Sequence, residues 1–178
     1  WESFSGQVYT EWRNDPAHYQ DQRWTHVIAP FAIPKHWPIW RGYDFGFSKP
    51  FSVGWYAVDE EGRLYRIKEL YGCTGRPNEG LRIDPVEQAK RIREAEQNDP
   101  LLRGRVIHGV ADFIRTLPNL VYDESNVEDI DTRQEDHIYD ECRYVLMEHP
   151  ISPPEAFAAP PRPDDPLELH RQARFYRI

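Results

Sequence analysis

Asp44 sits inside an aromatic run, Arg41-Gly42-Tyr43-Asp44-Phe45-Gly46-Phe47, that reads as the first strand of a sheet. A carboxylate in mid-strand is costly unless it faces solvent or a cation. A second acid, Asp112, follows an apolar stretch over 105–111 that reads as a buried strand, and the C-terminal end of a parallel strand is where ligands usually meet a sheet. A third set opens the last helix, as Glu135-Asp136-His137-Ile138-Tyr139-Asp140-Glu141. There Asp136 and Asp140 are spaced i,i+4 and His137 and Asp140 i,i+3, so one helix face presents all three. Carboxylate oxygens suit Mg²⁺ or Mn²⁺, hard ions that prefer oxygen ligands. Two such ions about 3.5 to 4 Å apart would activate a water and stabilise the leaving 3′-oxygen of a phosphodiester.

Each residue alone has a plainer reading. Asp-Phe-Gly at 44–46 also reads as a bend, and Asp112 as the cap of a following short helix. The acids at 135–140 also complement a helix dipole, which is commoner at helix starts than ligation. Lys49 either reaches a phosphate or is a solvated loop lysine. Arg115 and Arg143 either contact DNA or pair with Asp131 and Glu141, pairing being the stronger expectation. Glu69 reads as a simple edge charge, His108 as a core histidine, and the tryptophans as core and connector packing. It is the order of strand acid, strand-end acid and helix acid that makes a hypothesis.

The elements that must position these groups follow from pattern and breakers. Residues 24–40 hold three tryptophans and three prolines, Pro30, Pro34 and Pro38. That spacing forbids a regular helix and predicts an extended connector led by a short helix or turn over 6–13. Three antiparallel strands are expected at 42–47, 51–59 and 64–71, broken by Ser48-Lys49-Pro50 and by Glu60-Glu61-Gly62, the latter a hairpin signal. Asp84, Pro85 and Glu87 predict a capped helix start. Val86, Ala89, Ile92 and Ala95 are its apolar positions, and Asn98-Asp99-Pro100 its stop. Residues 120–122 are β-prone. Thr132 with Glu135 resembles a second capping box, opening a helix to 148 with Ile138, Cys142, Val145 and Leu146 as its buried stripe. Residues 150–166 hold seven prolines in 17 positions and read as extended tail.

Composition narrows the class. At 178 residues one domain can bury about 70% of its unfolded surface. Charged residues at 29% and a mean hydropathy of -0.78 are those of a polar-surfaced globular chain, with no run of membrane-spanning length. Cys73 and Cys142 make neither a disulfide framework nor a metal knuckle, so a reducing compartment is expected. The formal charge of -8 argues against a passive nucleic-acid binder. It weighs less against a metal-dependent nuclease, whose ions add positive charge at the site.

Several stretches together resemble the C-terminal nuclease domain of the large terminase subunit of tailed double-stranded DNA phages: FSGQVY (4–9), PKHW (34–37), RGYDFGFSKPFSVGW (41–55), GRLYRIKELYG (62–72), GVAD (109–112), FIRTL (113–117) and EDIDTRQEDHIYDECRY (128–144). The resemblance implies an α/β, ribonuclease H-like fold with a mixed β-sheet flanked by helices. It divides the chain into a connector (1–40) from a preceding ATPase domain, a nuclease domain (41–148) and a proline-rich tail (149–178). Trp1 in place of Met fits such a fragment. In the family a further helix, strand and loop separate GVAD from FIRTL, so the abutment of Asp112 and Phe113 reads as a segment omitted after 112. By the same resemblance Asp44, Asp112 and Asp140 ligate two Mg²⁺ or Mn²⁺ ions, and His137 matches a family histidine near the metals. Asp136 is a further candidate ligand from its helix spacing, and Lys49, Arg115 and Arg143 are the candidate DNA contacts weighed above. The implied role is cutting concatemeric double-stranded DNA during genome packaging in the cytoplasm of a bacterial host. The implied partners are the ATPase domain, the small terminase subunit and the portal protein, with no membrane. A resolvase or transposase-type nuclease on the same fold, or a non-catalytic docking module of the motor, are the alternatives.

Overall fold

The structure, a computed structural model, describes residues 6–97, 110–126 and 128–148. The predicted helix stop at 98–100, the strand over 105–109 with His108, and the tail over 149–178 lie outside the described residues. What is described is an α/β arrangement: a three-stranded antiparallel sheet in the order β1 (Ile39–Asp44), β2 (Ser52–Val58), β3 (Leu64–Tyr71), with helices α1 (Pro85–Gln97), α2 (Ala111–Thr116) and α3 (His137–Glu148). A mixed sheet was expected; among the described residues every strand pairing is antiparallel. None of the described helices is long and apolar enough to cross a membrane.

β2 is buried along its whole length because both faces are covered. On one face Phe51, Val53, Trp55 and Ala57 join Ile33 and Ile67 in the core, with Ile92 and Ala95 of α1 packed against them. On the other face α3 lies across β1 and β2. Strand alternation thus makes β2 the middle layer between two helices. The β2–β3 register slips between Trp55 and Tyr56, where Trp55 faces Lys68 and Tyr56 faces Arg66. This bulge sends Ile67 into the core while the Lys68 ammonium lies 5.5 Å from the Trp55 ring centroid.

The first hairpin runs earlier than expected. β1 starts at Ile39 and ends at Asp44, so Phe45, Gly46 and Phe47 belong to a loop and Asp44 is the strand's last residue rather than a mid-strand one. Packing explains the stop. A Cβ on Gly46 would lie 2.2 Å from the Pro50 carbonyl oxygen, so the chain folds back on itself too closely to continue a ladder. The second hairpin is as expected, with Gly62 at φ +79° and Asp59 Oδ1 accepting from Glu61 N and Arg63 N.

α1 begins as predicted, with Glu87 N donating to Asp84 Oδ1 at 2.9 Å, but its buried face is rotated. Val86 is 66% exposed and Gln88 is fully buried. Gln88 Nε2 donates to the carbonyls of Gly46 (2.7 Å) and Ile83 (3.0 Å), and its Oε1 accepts from Tyr43 Oη (2.7 Å). A polar residue holds this face because it ties the 45–50 loop to the helix.

α3 begins at His137, not at Thr132. The residues before it are pinned instead: Gln134 Oε1 accepts from Val121 N (3.1 Å) while its Nε2 donates to Val121 O (2.8 Å). Glu135 therefore is no capping-box partner of Thr132. The buried stripe of α3 is Ile138, Glu141 and Val145; Cys142 is half-buried and Leu146 exposed. Glu141 fits because Gly42 and Gly54, cross-strand partners on β1 and β2, leave room for it; a Cβ on either would fall within 2.6 Å of a Glu141 carboxylate oxygen. The Arg66 guanidinium meets that carboxylate at 2.6 Å and also donates to Tyr56 Oη, both charged side chains being almost fully buried.

Candidate active site

Two elements meet at the main cluster. β1 delivers Asp44 at its C-terminal end, and the start of α3 delivers Asp136, His137 and Asp140. His137 Nδ1 lies 3.3 Å from Asp44 Oδ2 and 3.9 Å from Asp136 Oδ1. Its Nε2 faces Asn78 Oδ1 at 3.1 Å. The Asn78 amide is oriented, since its Nδ2 donates to the carbonyls of Arg133 and Gln134 at 3.1 Å each. Asn78 Oδ1 can therefore only accept, which puts a proton on His137 Nε2.

The carboxyls here are crowded. Burial pushes Asp136 above the usual carboxylate range, and the charges of Asp140 and Asp44 push it further, against the pull of His137. Burial likewise raises Asp140; Arg143, 3.1 Å from its Oδ1, opposes the rise, and Asp44 adds to it. Acids that are buried together and held away from their charged state are common at functional sites.

Asp112 stands in a neighbouring groove. It is not at a strand end but in the first turn of α2, so the strand reading of 105–111 fails at Ala111, which is helical. The helix start is held by Glu69, whose carboxylate accepts from Asp112 N (2.8 Å) and Phe113 N (3.1 Å). Glu69 is thus no edge charge: its side chain is 9% exposed, and burial pushes its carboxyl up. Arg115 bridges Asp112 (2.9 Å) and Glu135 (2.7 Å), and Tyr71 Oη donates to Glu135 (3.1 Å). Burial would raise Glu135, but the hydrogen bond and charge of Arg115 outweigh it and hold the carboxyl low. The groove, of about 370 Å³, is lined by Tyr71, Cys73, Pro77, Asp112, Arg115 and Glu135. Because Glu135 and Asp136 are adjacent, the start of α3 faces the groove with one and the cluster with the other.

The structure thus brings Asp44, Asp136, His137 and Asp140 together and seats Asp112 beside Arg115. The arginines are paired, as the stronger expectation had it, but with other partners: Arg115 with Asp112 and Glu135, Arg143 with Asp140, while Asp131 takes Arg133 and Glu141 takes Arg66. Lys49 is exposed on the loop after β1. Sequence reasoning missed Asn78 and Gln88, and misread Glu69 as an edge charge. The left-handed φ of +59° at Asn78, which asparagine tolerates, follows Pro77 and marks a turn, but no local signal shows that it holds His137.

As to an ion, the donor set is of the right kind: carboxylate oxygens from two elements, with raised carboxyls that a cation would relieve. As the side chains stand, no three His, Cys, Asp or Glu groups among the described residues converge closely enough to hold one, and His137 occupies the near side of Asp44. No known protein family, curated protein or solved structure matches the chain.

Proposed function

We propose that residues 41–148 form a ribonuclease H-like endonuclease domain of a phage terminase large subunit. It cuts concatemeric double-stranded DNA during packaging, with a preceding ATPase domain, the small subunit and the portal as its partners. The observation that carries the reading is the meeting of Asp44, from the end of β1, with Asp136, His137 and Asp140 at the start of α3. Burial and mutual repulsion raise Asp136 and Asp140 despite the neighbouring Arg143 and His137, and divalent cations would neutralise the group.

Asp44 and Asp140, with Asp136 beside them, would hold Mg²⁺ or Mn²⁺, and Asp112 would complete the set from the groove. When bound, the ions supply an activated water and charge neutralisation at a phosphodiester. The chain's own residues do the positioning. Asn78 fixes the ring of His137, which can then hold or pass one proton at Nδ1. Arg143 restrains Asp140, and Arg115 restrains Asp112. Glu69 sets α2, and with it the height of Asp112.

The test is plasmid nicking with Mn²⁺, Mg²⁺ or EDTA, comparing wild type with Asp44→Ala. Metal-dependent cutting lost in the variant is the expected result. A folded wild type that neither cuts nor is thermally stabilised by Mn²⁺ would sink this reading in favour of a docking module. Cutting confined to branched DNA or specific ends would favour the resolvase or transposase-type enzyme.

A further inference from the structure

The loop that follows Asp44 carries two phenylalanines that the fold leaves outside. Phe45 is 53% exposed and Phe47 49% exposed, and neither ring stacks on another aromatic side chain among the described residues. Exposed apolar side chains are ordinary on mobile loops. This loop is held at every turn. Gly46 O accepts from the buried Gln88 amide at 2.7 Å, Ser48 O accepts from Gly80 N at 2.9 Å, and Phe47 O from Arg82 N at 3.0 Å. There is no slack behind it: a Cβ on Gly80 would lie 2.1 Å from Lys49 O and 2.6 Å from Phe47 O. Arg82 adopts φ +55°, a conformation costly for a residue with a side chain, in the irregular segment that backs the loop. Two exposed rings are therefore presented on a hydrogen-bonded support.

The cations nearby choose between occupants. Lys49, on the loop, and Arg82, on its backing segment, are both exposed, and neither makes an ion pair among the described residues. Aromatic faces beside free cations are the working parts of single-strand nucleic-acid sites, where bases stack on rings and the backbone meets positive charge. Acidic groups of a protein partner could meet these cations too, but a nucleic acid supplies both planar faces for the rings and a continuous anionic backbone for the charges. Phe45 directly follows Asp44 in the chain, so the platform begins one residue from the acidic cluster.

Resting on the nuclease reading, we infer that Phe45 and Phe47, with Lys49 and Arg82, form a stacking platform for unpaired bases. The strand engaged at the site is then locally unpaired within the double-stranded substrate. The platform selects and positions this strand; it does no chemistry.

The 178-residue chain is titrated in EDTA against a labelled oligothymidylate and a labelled hairpin duplex of equal charge, read by fluorescence anisotropy. Wild type and Asp44→Asn should bind the single strand more tightly than the duplex. Phe45→Ala/Phe47→Ala should lose roughly 5- to 100-fold of the single-strand affinity with little change for duplex. Lys49→Gln/Arg82→Gln should weaken both and flatten the salt dependence. The inference is overturned if wild type shows no single-strand preference, or if the double phenylalanine variant keeps its affinity within twofold or loses both substrates equally. Nicking of plasmid by a wild type without single-strand preference would overturn the platform and leave the nuclease standing. Phenylalanine-dependent single-strand binding without any nicking would do the reverse.

Discussion

Replacing Gly42 by alanine should displace α3 and disable the site at once. The added methyl would lie 2.1 Å from Glu141 Oε1, 2.6 Å from Val145 Cγ2 and 2.9 Å from the Glu141 carbonyl oxygen. A side-chain tip can swing aside, but a helix carbonyl cannot, so α3 must retreat by about 1 Å to restore ordinary contact. Overpacking of this kind costs about 1 to 3 kcal/mol. The retreat also pulls Glu141 from Arg66, now 2.6 Å apart, and breaking a buried pair outright costs about 3 to 5 kcal/mol. Counting a partial loss of the pair, the total should be about 3 to 4 kcal/mol, or roughly 6 to 16 °C in Tm for a domain of this size. Urea unfolding followed through the buried Trp55 would measure it. Since α3 carries His137 and Asp140, the 3.3 Å contact to Asp44 opens too, and under the proposed nuclease function misplacement on this scale would cost about 100-fold in rate. A Gly42→Ala protein within about 0.5 kcal/mol of wild type, with an unchanged denaturant slope, would refute the reasoning.

Other outcomes follow from the same geometry. Arg66→Met or Glu141→Leu alone should cost about 3 to 5 kcal/mol in urea unfolding, whereas the double variant should recover most of that loss. If it is no better than the singles, the pair is not an isolated unit. Gln88→Ala should cost about 1 to 3 kcal/mol by orphaning the Gly46 carbonyl and Tyr43 hydroxyl, and should speed hydrogen exchange at Arg82. Unchanged exchange would mean that the loop is held by other contacts. Stability should be greatest on the acid side of neutrality. Asp136, Asp140, Glu69 and Glu141 have raised carboxyls, so their contribution is present at low pH and lost as pH rises through those raised values. Asp59 and Glu135, held low by Arg63 and Arg115, contribute above the ordinary range and lose that only below it. Thermal melts from about pH 4.5 to 8 should therefore lose Tm toward the alkaline end, and a peak at 8 would contradict the assignments.

The parts of the fold legible in advance were those with local causes. Gly62 needs a left-handed turn, and Asp84 caps the helix that Pro85 starts, so the second hairpin and the start of α1 came out as read. What failed depended on distant partners. Gln88 takes the buried face of α1 because it reaches Gly46, 42 positions away. Glu141 lies in the stripe of α3 because Gly42 and Gly54 leave space for a carboxylate and Arg66 neutralises it, and no periodicity rule assigns a charge there. The helix start moved from Thr132 to His137 because Val121 claims Gln134. In the site, the i,i+4 spacing of Asp136 and Asp140 was visible as a pattern. Their approach to Asp44 is tertiary, and the role of Asn78 is wholly so.

The Gln134 amide has a consequence for the approach to α3. By accepting from Val121 N and donating to Val121 O, this side chain copies a peptide group and adds a rung to the bridge that pairs residue 122 with 130. The main chain at 134 is thereby free to turn toward α3. Hydrolysis of that one amide to a carboxylate would set oxygen against the Val121 carbonyl, exchanging an attraction for a repulsion two residues ahead of Asp136. A Gln134→Glu change would therefore loosen the segment that leads into α3, a perturbation that starts outside the acidic cluster.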